Sequence, residues 1–130
     1  MNKRKLAALA ISLSCLFAAP AFANNVIQIW VCELHEGKTG ADAVDASETW
    51  LKAAKSIAGG EDLDVLLRLP IAANAADNSF RFVLIAPDAK SWGTWFENSS
   101  TDFSLAAAND TWNEVASCSS SSMWAGVPIG

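Results

Sequence analysis

The chain has 130 residues, 52% of them hydrophobic and 18% charged, with 14 acidic against nine basic side chains and a net charge of −5. That length makes one domain able to bury its own core. An acidic balance with no basic stripe excludes a nucleic-acid binder, because phosphate backbones are repelled.

Lys3, Arg4 and Lys5 form a basic start, Leu6 to Phe17 is an apolar run too short to span a bilayer, and Ala21-Phe22-Ala23 has the small-residue pattern of a cleavage site. Residues 1–23 are expected to be an export signal, and residues 24–130 a single domain that is periplasmic or secreted. Removing the three leading cations takes the net charge from −5 to −8. Cleavage also removes Cys15 and leaves Cys32 and Cys118, which are expected to pair in an oxidising compartment. The alternative fate of Cys15 is lipidation, but Ser12 stands where a lipobox wants Leu. No later apolar run is long enough for a membrane helix, so no membrane contact is expected after processing.

Val26 to Leu34 is β-branched and aromatic, reads as a strand and is apolar on both faces. Gly37 to Gly40 is a turn. Thr39 then caps a helix expected over Ala41 to Ala58, with Val44, Ser47, Leu51, Ala54 and Ala58 on one stripe, Ala43, Ala46, Trp50, Ala53 and Ile57 on the neighbouring one, and Gly59-Gly60 as its stop. Leu63 to Ala73 alternates as a strand, and Pro70 implies either a sheet edge or a bulge. After a turn from Asn74 to Ser79, Phe80 to Ala86 is the returning strand of a hairpin. Pro87-Asp88 opens a second helical region with Trp92, Trp95 and Phe96 on one face, broken at Asn98 to Thr101. Phe103 to Ser117 is helical again, with Leu105, Ala108, Trp112 and Val115 in phase. Ser119 to Ser122 reads as a polar connector, and Met123 to Ile129 as a short last strand.

The expected fold is α+β: a ferredoxin-like βαββαβ sandwich, with a four-stranded antiparallel sheet and helices on one face. In that topology the first strand lies between the third and fourth, which brings Cys32 near Cys118. A disulfide there would close a loop of about 86 residues, worth up to roughly 4–5 kcal/mol in the chain-entropy model.

This order of elements, carried by VIQIWVCEL, FRFVLIAPD and SWGTWFEN, resembles the dimeric α/β barrel superfamily, which includes antibiotic-biosynthesis and haem-degrading monooxygenases. The resemblance implies a homodimer formed through facing sheets and a pocket between sheet and helices. Haem-degrading members place an Asn on the first strand and a Trp and a His toward the second helix. Here Gln28 is the only strand amide and no His lies near Trp92 or Trp95, so haem chemistry is not expected. Cofactor-independent oxygenases of the superfamily use Trp, Asn and Tyr; this chain has no Tyr, and Trp92 or Trp95 is the match to the helix Trp.

Several residues have both a chemical and a structural reading. His35, the only histidine, stands with Glu33 and Glu36, a set with the donors for a divalent metal or for acid–base work. They lie at the mouth of a loop, and an exposed polar loop is the expected reading; neither a metal nor a cofactor is expected. A thiolate at Cys32 beside His35 is displaced by the disulfide. Arg68 and Arg81, on the central hairpin, would clamp an anion if they shared a face. Trp30, Trp50, Trp92, Trp95 and Trp112 fall on apolar faces, where they either fill the core or wall a pocket. No G-x-S-x-G or P-loop occurs. The expected function is therefore non-enzymatic binding of an apolar or aromatic small ligand or a protein partner, with Trp30, Trp92, Trp95, Arg68, Arg81 and His35 as candidate ligand-binding residues. The alternative is a cofactor-independent monooxygenase of the dimeric α/β barrel type.

Overall fold

Branched and aromatic side chains at Asn25–Leu34 form strand β1 in the computed structural model, which describes residues 24–71 and 78–129. The expected export signal, with Cys15, lies outside the described residues, as does most of the turn after residue 73. Helix α1 (Gly40–Lys55) begins with a reciprocal box, in which Thr39 Oγ1 accepts from Asp42 N and the Asp42 carboxylate accepts from Thr39 N at 2.7 Å. It ends three residues before Ala58. Ser56 N and Oγ both bond back to the Ala53 carbonyl and tighten the last turn, ahead of Gly59 at φ +88°.

Strand β2 (Asp64–Arg68) is an edge strand, one of the two places Pro70 allows, but it is shorter than the expected run to Ala73. Its ladder with β3 (Ser79–Ala86) stops at Arg68↔Arg81, and Ile71 is fully exposed. The second helical region is two helices, so the order is βαββααβ. Helix α2 (Ala89–Ser99) starts where Asp88 accepts from Ser91 N, and α3 (Phe103–Val115) where Asp102 accepts from Leu105 N. The expected stripe Leu105, Ala108, Trp112 and Val115 is buried throughout.

The serine run is where the sequence expectation fails. Strand β4 spans Ala116–Gly126, so Ser119 to Ser122 lie within a strand rather than a connector. Serine carries little strand preference of its own, and the unpaired backbone groups along β1 recruit the segment. The register changes between Val31↔Ser120 and Cys32↔Cys118, leaving Ser119 as the extra residue of a bulge.

The sheet order is β2-β3-β1-β4, all antiparallel, as a ferredoxin-like fold requires. Cys32 and Cys118 are cross-strand neighbours joined by a disulfide, with Cα atoms 4.0 Å apart. One face of the sheet, carrying Phe80, Phe82, Leu84 and Cys32, packs on the helices and makes the core with Ala43, Ala54, Leu63 and Leu105. Alternation sends Ile27, Ile29, Val31, Val83, Ile85 and Trp124 to the other face, which no helix among the described residues covers. The two apolar faces of β1 are thereby explained.

Candidate ligand site between sheet and helices

Aromatic residues from four elements converge on the helix side of the sheet. Phe82 of β3 meets Trp30 of β1, Trp50 of α1 and Trp112 of α3 edge-to-face, with ring centroids 5.6, 5.2 and 5.0 Å away. Trp50 also meets Trp95 at 5.8 Å. Edge-to-face rings leave wedges that small side chains do not fill. Two cavities result, sharing Trp30, Trp50 and Asn109 in their walls. One, of about 300 Å³, is bounded by Phe82, Trp112, Asn113 and Cys118. The other, of about 350 Å³, reaches Gln28, Trp95, Ser99, Asp102 and Leu105. Both are of the size that holds a small organic molecule.

Polar groups at the rim are neutral or already engaged. Asn109 Oδ1 accepts from Trp50 Nε1 at 2.8 Å, and Gln28 Oε1 accepts from Trp92 Nε1 at 3.4 Å. Asp102 is the only carboxylate among the wall residues of either cavity, and its Oδ1 caps α3 by accepting from Leu105 N at 2.8 Å. No Lys, Arg or His is among the wall residues. Trp95 is buried, and its Nε1 has no hydrogen-bond partner among the described residues. Its Cδ1 lies against the Gly59-Gly60 turn, where a Cβ on Gly60 would come within 2.8 Å of it, so the pyrrole edge packs on backbone.

The six candidate residues do not form one site. Trp30 and Trp95 line a cavity wall. Trp92 stands behind Gln28, and stacks on Phe96 at 4.9 Å. Phe96, expected on the buried face with Trp95, is 57% exposed because α2 buries only Trp95 fully. Arg68 and Arg81 do share a face, as direct cross-strand partners, but it is the uncovered one, away from the tryptophans of the cavities. Arg81 donates to Ser79 Oγ and the Phe80 carbonyl. His35 lies beyond the end of β1. Its Nδ1 donates to the Glu114 carbonyl, which can only accept, at 3.2 Å, and its Nε2 lies 3.1 Å from Ser117 Oγ. The imidazole thus ties the C-terminus of α3 to β1 and β4. Among the described residues no three potential metal ligands cluster, and Glu33 and Glu36 do not join His35 as a set.

Sequence reasoning passed over Asn109 and Asn113. Their signal was a polar flank beside the stripe of α3, since Asn109 follows Leu105 by four residues and Ala108 by one. Which neighbour that flank would meet depends on how α1 and α3 pack, and Trp50 and Asn109 are 59 residues apart.

No family model matches the chain, and no curated protein matches it in sequence. Similarity appears in the fold. SnoaB, a cofactor-independent oxygenase from Streptomyces nogalater, aligns with a TM-score of 0.55 and 9% identity over 82% of this chain and 97% of its own. A point mutant of the same protein aligns at 0.57, with the same identity and coverage. A dimeric protein of unknown function and ferredoxin-like fold from Bacteroides fragilis aligns at 0.43, with 10% identity over 78% of this chain and 93% of its own. The first two alignments show a shared fold, and the strand order and antiparallel pairing of this chain are those of a ferredoxin-like fold.

Proposed function

We propose that this is an exported, non-enzymatic binding protein that holds a flat, neutral aromatic molecule between its sheet and its helices. The observation that carries this reading is the pair of adjoining cavities walled by Trp30, Trp50, Phe82 and Trp112, with uncharged amides and one helix-capping carboxylate, Asp102, as their polar groups. Aromatic walls offer large contact at little entropic cost, and a few fixed polar groups orient what they hold. With no basic side chain in the wall, an anion gains nothing there, and the arginine clamp belongs to the other face. Titration with a panel of haem, quinones and aromatic acids tests the reading through intrinsic fluorescence, since bound ligand lies against Trp30 and Trp50. A saturable quench or shift with a neutral aromatic compound is expected; no response to any of the panel removes the reading.

A homodimer joined through the uncovered sheet face completes the proposal. Trp124 is 59% and Leu66 51% exposed there, beside half-buried Ile27, Ile29, Val31 and Ile85. A second copy is self-complementary to such a face under two-fold symmetry.

Cofactor-independent oxygenation is the second reading. It is favoured by Trp95 lining an amide-bearing cavity in a fold shared with SnoaB. Against it, the cavity walls hold no histidine, and their one carboxylate is spent as a helix cap. Oxygen uptake in the presence of a bound hydroxylated aromatic compound would decide for it.

A further inference from the structure

We propose that the uncovered sheet face receives a second copy of this chain in one orientation, fixed by charges at one edge of the face and by serines at the other. The two-fold axis crosses the strands at the level of Leu66 and Ile29. Strand β2 of one copy lies over β2 of the other, and the two run in opposite directions. Asp64 of each copy then meets Arg68 of the second copy, and Trp124 lies over Ser120 of the second copy. The inference rests on the face being a homodimer interface and adds the residues that decide how the copies meet.

The strand register sets three rows across this face, each from the β2 edge to the β4 edge. The first runs from Asp64 through Ile85 and Ile27 to Trp124. The middle row runs from Leu66 through Val83 and Ile29 to Ser122, and the third from Arg68 through Arg81 and Val31 to Ser120. One edge thus has a carboxylate at one end and an arginine at the other, while the opposite edge has a large ring at one end and a small hydroxyl at the other. Facing sheets keep their strands roughly aligned and about 10 Å apart, so a two-fold axis either crosses the strands or runs along them. An axis that crosses them lays the first row on the third, which pairs acid with arginine and ring with serine. An axis along them keeps each row in place and exchanges the edges. Asp64 is then covered by Trp124 and Arg68 by Ser120, and no carboxylate of these rows meets an arginine. Covering a carboxylate without a partner is costly.

The side chains suit the crossed arrangement. Arg68 and Arg81 are like charges set directly opposite each other, which costs stability in the single chain. Arg81 donates to Ser79 Oγ and the Phe80 carbonyl, which holds its head away from the apolar rows, and Asp64 of the second copy relieves the pair at Arg68. Trp124 is 59% exposed, and its Nε1 donates to Ser122 Oγ at 2.8 Å. That bond satisfies the indole within its own strand, so a second copy can cover the ring without stranding a donor. Ser120 and Ser122 keep the β4 side of the face shallow, which leaves room for a ring from the second copy.

The test is sedimentation equilibrium of the native chain and its charge variants, with circular dichroism to check that each is folded. Arg68→Asp and Asp64→Arg each set two pairs of like charges across the dimer and should weaken it about tenfold. The double variant exchanges the partners and should return to within about threefold of the native dimer. Arg68→Asp also replaces the like-charge pair with Arg81 by an attractive one, so a weakened dimer does not reflect a damaged monomer. Ser120→Glu separates the two axes. In the crossed arrangement its carboxylate lies beneath Trp124 and the dimer weakens; with the axis along the strands it faces Arg68 and the dimer tightens. Tightening by Ser120→Glu overturns the proposed orientation. So does a dimer that Arg68→Asp leaves unchanged, or a double variant no stronger than either single one, and each leaves the dimer itself standing. A native chain that is monomeric at micromolar concentration removes the dimer and this proposal with it.

Discussion

Thr39 and Asp42 lock the start of α1, and Asp88 does the same for α2 through Ser91. In each case the backbone N–H, of Thr39 or of Ser91, is the main cause that holds the Asp carboxyl below its ordinary value of 3.8. A carboxyl with a lowered folded-state pKa stabilises when ionised. Its contribution is whole above the unfolded value and is lost as pH falls through the lower folded value. Thermal melts at falling pH should show the loss setting in below about pH 4, and Asp88→Asn, which keeps a cap but cannot ionise, should flatten part of that dependence. Gly59 is bound by a different constraint. At φ +88°, a Cβ there would stand 2.6 Å from Trp95 N and 2.8 Å from the Ser91 carbonyl, both backbone atoms of α2 that cannot yield. Gly59→Ala should destabilise the protein by more than about 1 kcal/mol in urea unfolding, because strain and collision add. These constraints were partly legible: Thr39 and Asp88 announce caps and Gly59-Gly60 a stop, whereas the approach of α2 to that glycine is a tertiary fact.

At the scale of elements, helices and inner strands could be read because their signals are local. The stripe of α3 and the alternation of β2 follow from which neighbours must share a face. Strand β4 could not be read this way. Its serine stretch has no apolar alternation, and it is a strand because β1 needs a partner on that side. Hydrogen exchange tests the point. Along Ser120 to Met123, amides that face β1 should be protected and those on the outer edge should exchange freely, giving an alternating pattern. Uniformly fast exchange would return the segment to the status of a loop. Pro70 illustrates the reverse case: it allowed β2 the edge position that it has, yet the strand's early end at Arg68 reflects where the β3 ladder stops.

At the scale of the whole molecule, a disulfide staples the sheet, and among the described residues no helix covers its second face. The Cys32–Cys118 bridge, with its sequence separation of 86, constrains most of the unfolded chain. Its removal by paired Cys→Ala substitution should lower unfolding stability by roughly 2–5 kcal/mol, a large share of what a small domain possesses. Sedimentation tests the uncovered face: the protein should be a dimer at micromolar concentration, and Ile29→Asp, at the centre of the β1 face, should yield monomers that keep their far-ultraviolet circular dichroism. A native chain that sediments as a monomer would leave that face without this partner. Among the described residues no helix is long and apolar enough to cross a membrane.

By itself the sequence determined the order and kind of most elements, the ferredoxin-like topology they permit and the pairing of Cys32 with Cys118. Periodicity, caps and turns act between near neighbours, and two thiols meet wherever that topology puts them. Tertiary structure alone decided that a serine run is a strand, that Arg68 and Arg81 stand on the sheet face opposite Trp30, and that Asn109 of α3 meets Trp50 of α1. Each of these depends on which distant backbone or helix lies alongside, and no local pattern encodes that neighbour.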